Sequence, residues 1–140
     1  MALNFADLIG LWTRPLPDGD AAFERFLEFY TDPIAVNGTL MPLRGLVDRA
    51  RATQRTFSEL EGELLAQADA PTHTTIVFRM RGRHVGAWPT PLGELPATGK
   101  VVERQVIDLL RIDAGRVSEI WMVSDELGAL SRIGALSLAS

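Results

Sequence analysis

The sequence predicts an α+β fold, an antiparallel sheet with helices packed on one face. Two observations carry the prediction. Apolar residues recur at helical spacing up to about residue 58 and then switch to period two, and the period-two segments are joined by short connections rich in Pro, Gly and Asp. Helices first and a run of strands afterwards is the order expected of α+β rather than alternating α/β domains. If such a sheet curls, a concave, mostly apolar cavity opens between it and the helices, the usual place for a small ligand.

Phe5, Leu8, Ile9 and Trp12 stand at i, i+3, i+4 and i+7 and predict an amphipathic helix that stops before "RPLPDG", where two prolines break it. Asp20 is placed to cap a second helix with the stripe Phe23, Phe26, Leu27 and Tyr30, ended by "TDP" because the residue before proline avoids the helical region. A short strand, "IAVNG", follows. Leu43, Leu46, Val47, Ala50 and Phe57 mark a third helix running to about Ser58. Four period-two segments come next: "ELEGELLAQAD", "TTIVFRMRGRHVG", "KVVERQVIDLLRI" and "GRVSEIWMVSD", with "IDAGRV" reading as a hairpin turn. Asp125 is placed to cap a last helix bearing Leu127, Leu130 and Ile133.

Composition narrows the function. The 140 residues predict one domain, 1–140, with 46% hydrophobic and 23% charged residues, as in a folded globular protein. The 14 basic and 18 acidic residues leave a net charge of −4, and the basic residues are scattered rather than gathered into a stripe, so no nucleic-acid partner is expected. No window is long and apolar enough for a membrane span, and "MALNFADLIGLW" lacks the features of a secretion signal, so a cytoplasmic location and no membrane partner are expected. With no cysteine, any chemistry rests on carboxylates, hydroxyls, imidazole or a bound cofactor. No histidine or carboxylate cluster has metal-ligand spacing, so no metal is expected.

Two polar residues stand on apolar faces. In "TTIVFRMRGRHVG" the alternate set Ile76, Phe78, Met80, Gly82 and His84 faces inward, opposite a set carrying Arg79, Arg81 and Arg83. In "KVVERQVIDLLRI" the set Val102, Arg104, Val106, Asp108, Leu110 and Ile112 includes a carboxylate among aliphatics. Such a group needs a partner, or its pKa rises until it holds a proton. If the two strands are antiparallel neighbours joined by the loop Ala87–Gly99, His84 and Asp108 could project into one cavity as a proton-transfer pair. Equally, each could be a satisfied buried polar group. "VSEIWMVSD" has no clear inner set. Trp88 sits in a loop longer than a hairpin needs, either a lid beside the pocket or a loop anchored by one tryptophan.

"GRHVG" followed by "LPATGKVV", then "LLRIDAGRVSEIW", then "SDELGALSRIG", resemble the SnoaL-like polyketide cyclases, the ester cyclase group of the nuclear transport factor 2-like superfamily. The resemblance spans roughly the last 65 residues; the first half matches in helix pattern and in "DP" followed by "NG" near residues 32–38. It implies a cone-shaped α+β barrel with a deep apolar cavity, and usually a homodimer packed through the outer sheet face. It also implies an intramolecular aldol closure without metal or organic cofactor, in which an aspartate on the last strand takes a proton and a histidine on the preceding strand stabilises the oxyanion. Aligned without gaps, Met122 stands at that aspartate's position and Asp108 at that histidine's. Methionine moves no protons, so the expected base becomes Asp108, with His84 as acid or electrophile and Tyr30 or Asn37 as donors to an oxyanion. Met80, Trp88 and Met122 are expected in the pocket. The expectation is a cofactor-independent enzyme acting on an apolar polyketide- or steroid-like carbonyl compound. The alternative is a non-catalytic small-ligand-binding or dimerisation module of the same fold.

Overall fold

A computed structural model describes residues 3–139. Helix α1 (Phe5–Thr13) starts where the Asn4 side chain accepts the Asp7 amide, and it buries Phe5, Leu8 and Ile9. Helix α2 (Asp20–Leu27) follows Gly19, whose φ of 64° makes the turn into the helix, so Asp20 is the first helical residue rather than the cap. Tyr30 does not extend the α2 stripe. It opens strand β1 (Tyr30–Val36), which Asn37 and Gly38, both at positive φ, turn back into β2 (Thr39–Met41).

Helix α3 (Leu43–Thr56) buries Leu43, Leu46, Val47 and Ala50. Its Gln54 amide holds the connection between the first two helices, donating to the Trp12 and Arg14 carbonyls and accepting from the Leu16 amide. The proline-rich "RPLPDG" segment is thus fixed by side chains rather than by secondary structure of its own.

The remaining strands are β3 (Phe57–Asp69), β4 (His73–His84), a small hairpin β5 (Trp88–Thr90) and β6 (Gly93–Leu95), then β7 (Val101–Asp113) and β8 (Arg116–Ser124), before α4 (Glu126–Arg132). The six-stranded sheet runs β2-β1-β8-β7-β4-β3. Every neighbouring pair is antiparallel except β1 and β8, which are parallel, so the sheet is mixed rather than antiparallel throughout. A parallel pair needs a long connection, and here residues 37–115 supply it.

Register breaks at Ser58/Glu61 and Leu64/Ala66 in β3, with Glu59 at φ 53°, bend the sheet around the helices. Gly62 lets α1 approach, because a side chain there would collide with Ile9. The main core lies between the inner sheet face and α1, α2 and α3. A smaller one gathers Phe57, Trp88, Val102, Ala129, Leu130 and Ile133 under α4, while Leu127 is exposed. Among the described residues, no helix is long and apolar enough to cross a membrane.

Candidate functional site

Strands β4 and β7 alternate cleanly, with Ile76, Phe78 and Met80 and then Val106, Asp108 and Leu110 pointing inward. Strand β8 does not. Arg111 faces Glu119 but Ile112 faces Val117, so Ser118 is the extra residue of a bulge. Val117 points inward before it, and Ile120, Met122 and Ser124 line the interior after it. One bulge therefore explains why neither alternate set of this strand reads as the inner one.

These three inner faces, with α1 and α3, enclose a cavity of about 210 Å³. Its walls are mostly apolar, contributed by Leu8, Ile9, Val36, Phe78, Val106 and Ile120 among others. Exposed members of the lining, Arg49 and Met122, border its opening.

Asp108 lies on this wall, 7% exposed, between Ile76 on β4 and Met122 on β8. Burial disfavours its charged form and pushes its pKa up to about 7. Its Oδ1 is buried and has no hydrogen-bond partner among the described residues. Tyr30 lines the same cavity, fully buried, its hydroxyl accepting from the Trp12 indole N–H at 3.1 Å. Burial, and secondarily the Asp108 charge, hold the Tyr30 pKa above its ordinary value despite the Trp12 bond, so the phenol keeps its proton. The cavity thus joins a carboxyl that titrates near neutrality to a hydroxyl that stays protonated.

A second polar group lies four positions along β7 from Asp108, roughly 14 Å away at about 3.4 Å per residue. Arg104 pairs with Glu126 at 2.8 Å, and Ser124 donates to the same Glu126 oxygen at 2.9 Å. The guanidinium lies over the Phe57 and Trp88 rings, 5.5 and 6.0 Å from their centroids. Glu126 Oε2 is buried without a hydrogen-bond partner among the described residues.

Of the residues expected in the pocket, Tyr30, Met80, Asp108 and Met122 line it, while His84, Trp88 and Asn37 do not. His84 is fully buried, but Ile76 is the residue facing Asp108, and His84 sits eight positions further along β4, roughly 27 Å at about 3.4 Å per residue. The two share a face and not a cavity, so they form no proton-transfer pair. His84 belongs to the smaller core. Its Nδ1 accepts the Thr98 amide at 3.2 Å and lies 3.0 Å from the Thr98 hydroxyl, while Nε2 is buried with no hydrogen-bond partner among the described residues and the Phe57 and Trp88 rings pack against the imidazole. Trp88 packs edge-on against both, anchoring its loop rather than covering the cavity.

Asn37 acts through the backbone, its side-chain oxygen accepting the Met122 amide at 2.8 Å. It positions Met122 without reaching the cavity. Sequence reasoning passed over Trp12, Arg49, Thr53, Arg104, Ser124 and Glu126, all of which line the cavity. Arg104 carried a signal, a charged residue on the same inward set as Asp108; Arg49, on the partly exposed side of α3, carried none. Among the described residues no group of three or more His, Asp or Glu is placed to hold a metal ion.

The family model for SnoaL-like polyketide cyclases matches residues 18–133. Solved structures share the fold at low identity. IdmH from Streptomyces antibioticus superposes with a TM-score of 0.73 at 19% identity, over 93% of this chain and 95% of that one. AclR from Streptomyces galilaeus gives 0.71 at 18%, over 95% and 83%. A SnoaL-like polyketide cyclase from Agrobacterium tumefaciens gives 0.69 at 19%, over 80% and 84%. No curated protein matches the chain significantly.

Proposed function

The chain belongs to the SnoaL-like polyketide cyclase family, and from that premise we propose that it is a cofactor-independent enzyme moving a proton at a carbon beside a carbonyl in a small apolar substrate. The observation that supports this is the Asp108 carboxyl, set in an apolar cavity wall with a pKa of about 7 and an unpartnered oxygen. A carboxylate of that basicity is better matched to a carbon acid than one titrating near 4, and it is still half ionised at neutral pH.

In the proposed step Asp108 takes the proton from the activated carbon and becomes a carboxylic acid. The electron pair of that C–H bond moves onto the carbonyl oxygen as an enolate, and Tyr30 donates a hydrogen bond to that oxygen. The enolate carbon then either attacks a second carbonyl, closing a ring whose alkoxide takes the proton from Asp108, or the proton returns at another carbon, giving an isomer. The base therefore stands on β7, opposite Met122, and not on β8 where the family resemblance puts it. A cavity of about 210 Å³ exceeds the roughly 150 Å³ that holds one benzene, so the substrate has one or two rings in the cavity rather than the four of a steroid.

Deuterium exchange at the carbon beside the carbonyl of 1-tetralone, followed by NMR, tests the reading without the natural substrate. Exchange should exceed that in buffer, rise as pH passes about 7 because the ionised carboxylate is the active form, and fall at least ~100-fold in Asp108→Asn. Exchange equal to buffer, or unchanged in Asp108→Asn, refutes it. Met122 favours one second reading, a binding module that retained the cavity after losing the β8 acid; it predicts bound tetralone with no exchange at any pH. For assembly, we propose a homodimer through the outer sheet face, where the cross-strand pairs Ile107–Val123 and Leu109–Trp121 expose four large apolar side chains. Trp121→Glu should then shift the sedimentation of a dimer to that of a monomer.

A further inference from the structure

We propose that the Arg104 end of the cavity is an anion subsite, so that the ligand is an amphiphilic acid whose carboxylate sits at Arg104, in the added field of Arg49 on the same lining, while its apolar body lies toward Asp108. This rests on the proposed function for the identity of the reacting end, but not for the subsite itself. Four observations support it. Arg104 lines the cavity and donates to Glu126 through a single terminal nitrogen, leaving its other N–H groups without a protein acceptor among the described residues. The Phe57 and Trp88 rings beneath it, with Glu126 and Ser124 beside it, hold the guanidinium in one place, so little side-chain freedom is lost when a ligand binds.

Arg49 lines the same cavity from α3 and makes no ion pair among the described residues. Glu126 offsets one of the two guanidinium charges on the cavity lining, so one remains uncompensated beside the Asp108 carboxyl. The carboxyl of opposite tendency, Asp108, lies four residues away, roughly 14 Å along β7 by strand rise. That spacing has a chemical consequence. A ligand carboxylate at Arg104 is remote from the carbon facing Asp108 and is not the electron sink for proton removal, so the substrate needs a separate ketone or ester there.

Fluorescence of Trp12, which lines the cavity, reports binding of 2-naphthoate and of its uncharged counterpart 2-naphthamide. The folded wild-type protein should prefer the acid by roughly tenfold at low salt, as expected of a charge-assisted guanidinium contact. Arg49→Met, at an exposed position, should cost the acid roughly three- to fivefold and leave the amide unchanged. Glu126→Gln keeps the hydrogen bonds to Arg104 and Ser124 but removes the offsetting charge, so it should tighten the acid and not the amide. Asp108→Asn should retain the preference. Equal affinity for acid and amide in the wild-type protein, or a preference that neither Arg49→Met nor Glu126→Gln moves, overturns the subsite and leaves the proposed proton transfer standing. Loss of tetralone exchange with the acid preference intact does the reverse. Binding of neither naphthalene compound overturns the subsite outright.

Discussion

His84 and Asp108 begin alike, each a titratable residue in the inward set of a long strand, on strands that pair with one another. They end in different settings. His84 is 0% exposed against the Phe57 and Trp88 rings, where the Thr98 amide and hydroxyl meet Nδ1 and the buried Nε2 has no partner among the described residues. Asp108 faces a hollow, where its buried Oδ1 likewise has no partner among the described residues. A half-satisfied polar group sealed among side chains bears on stability alone, whereas one left unsatisfied beside a cavity costs stability and can meet a ligand, so it gains reactivity.

The sharpest way to break this comparison is to remove the charge at Asp108. Its folded pKa of about 7 lies above the ordinary 3.8, so the folded state holds a proton that the unfolded chain releases. Its favourable share is complete below about pH 4 and is lost as pH rises through 7. A rise from 3.8 to about 7 corresponds to at most roughly 4 kcal/mol. Asp108→Asn should match the wild type in thermal stability near pH 4 and exceed it at pH 8, measured by melting at both pH values. A gap that does not widen with pH contradicts an unsatisfied acid.

Tyr30→Phe comes next. It removes the proposed oxyanion donor and should slow tetralone exchange about 100-fold, or roughly 2.7 kcal/mol, without shifting the pH at which exchange turns on. A shift of that pH without a rate loss would mean that Tyr30 only tunes Asp108.

His84→Ala should behave in the opposite way. Truncating a fully buried ring that also accepts an amide should cost roughly 2–4 kcal/mol in denaturant unfolding, while exchange by the protein that remains folded stays within about twofold. A large rate loss would reconnect His84 to the chemistry. The smallest effect belongs to Thr98→Val, which removes the hydroxyl shared by His84 and the Lys100 amide. About 1 kcal/mol of stability should be lost, with no change in rate.

Much of the architecture was legible in one dimension, because α1, α3, β4 and β7 carry side-chain periods that only one kind of element can bury. Tyr30 was read into a helix because it stands at helical spacing from Phe26 and Leu27, and local periodicity has no means of registering the strand that β8 offers beside it. The β8 faces stayed unreadable for a similar reason: the bulge at Ser118 exists only relative to β7. At the site, Asp108 was found because a carboxylate among aliphatics is visible in sequence. Arg49 was not, because an arginine on the partly exposed side of a helix looks like any solvated charge until the sheet curls over it.

The sequence by itself determined which faces are apolar, that cysteine chemistry is impossible, and that His84 and Asp108 both turn inward, since all three follow from residue identity and a period of two. Only the tertiary structure decided that these two groups lie at opposite ends of the barrel and that Asp108 shares its cavity with Tyr30 and Arg104. Strand register, one parallel pairing and the bends in β3 and β8 set those distances, and each of them is a relation between segments far apart in the chain.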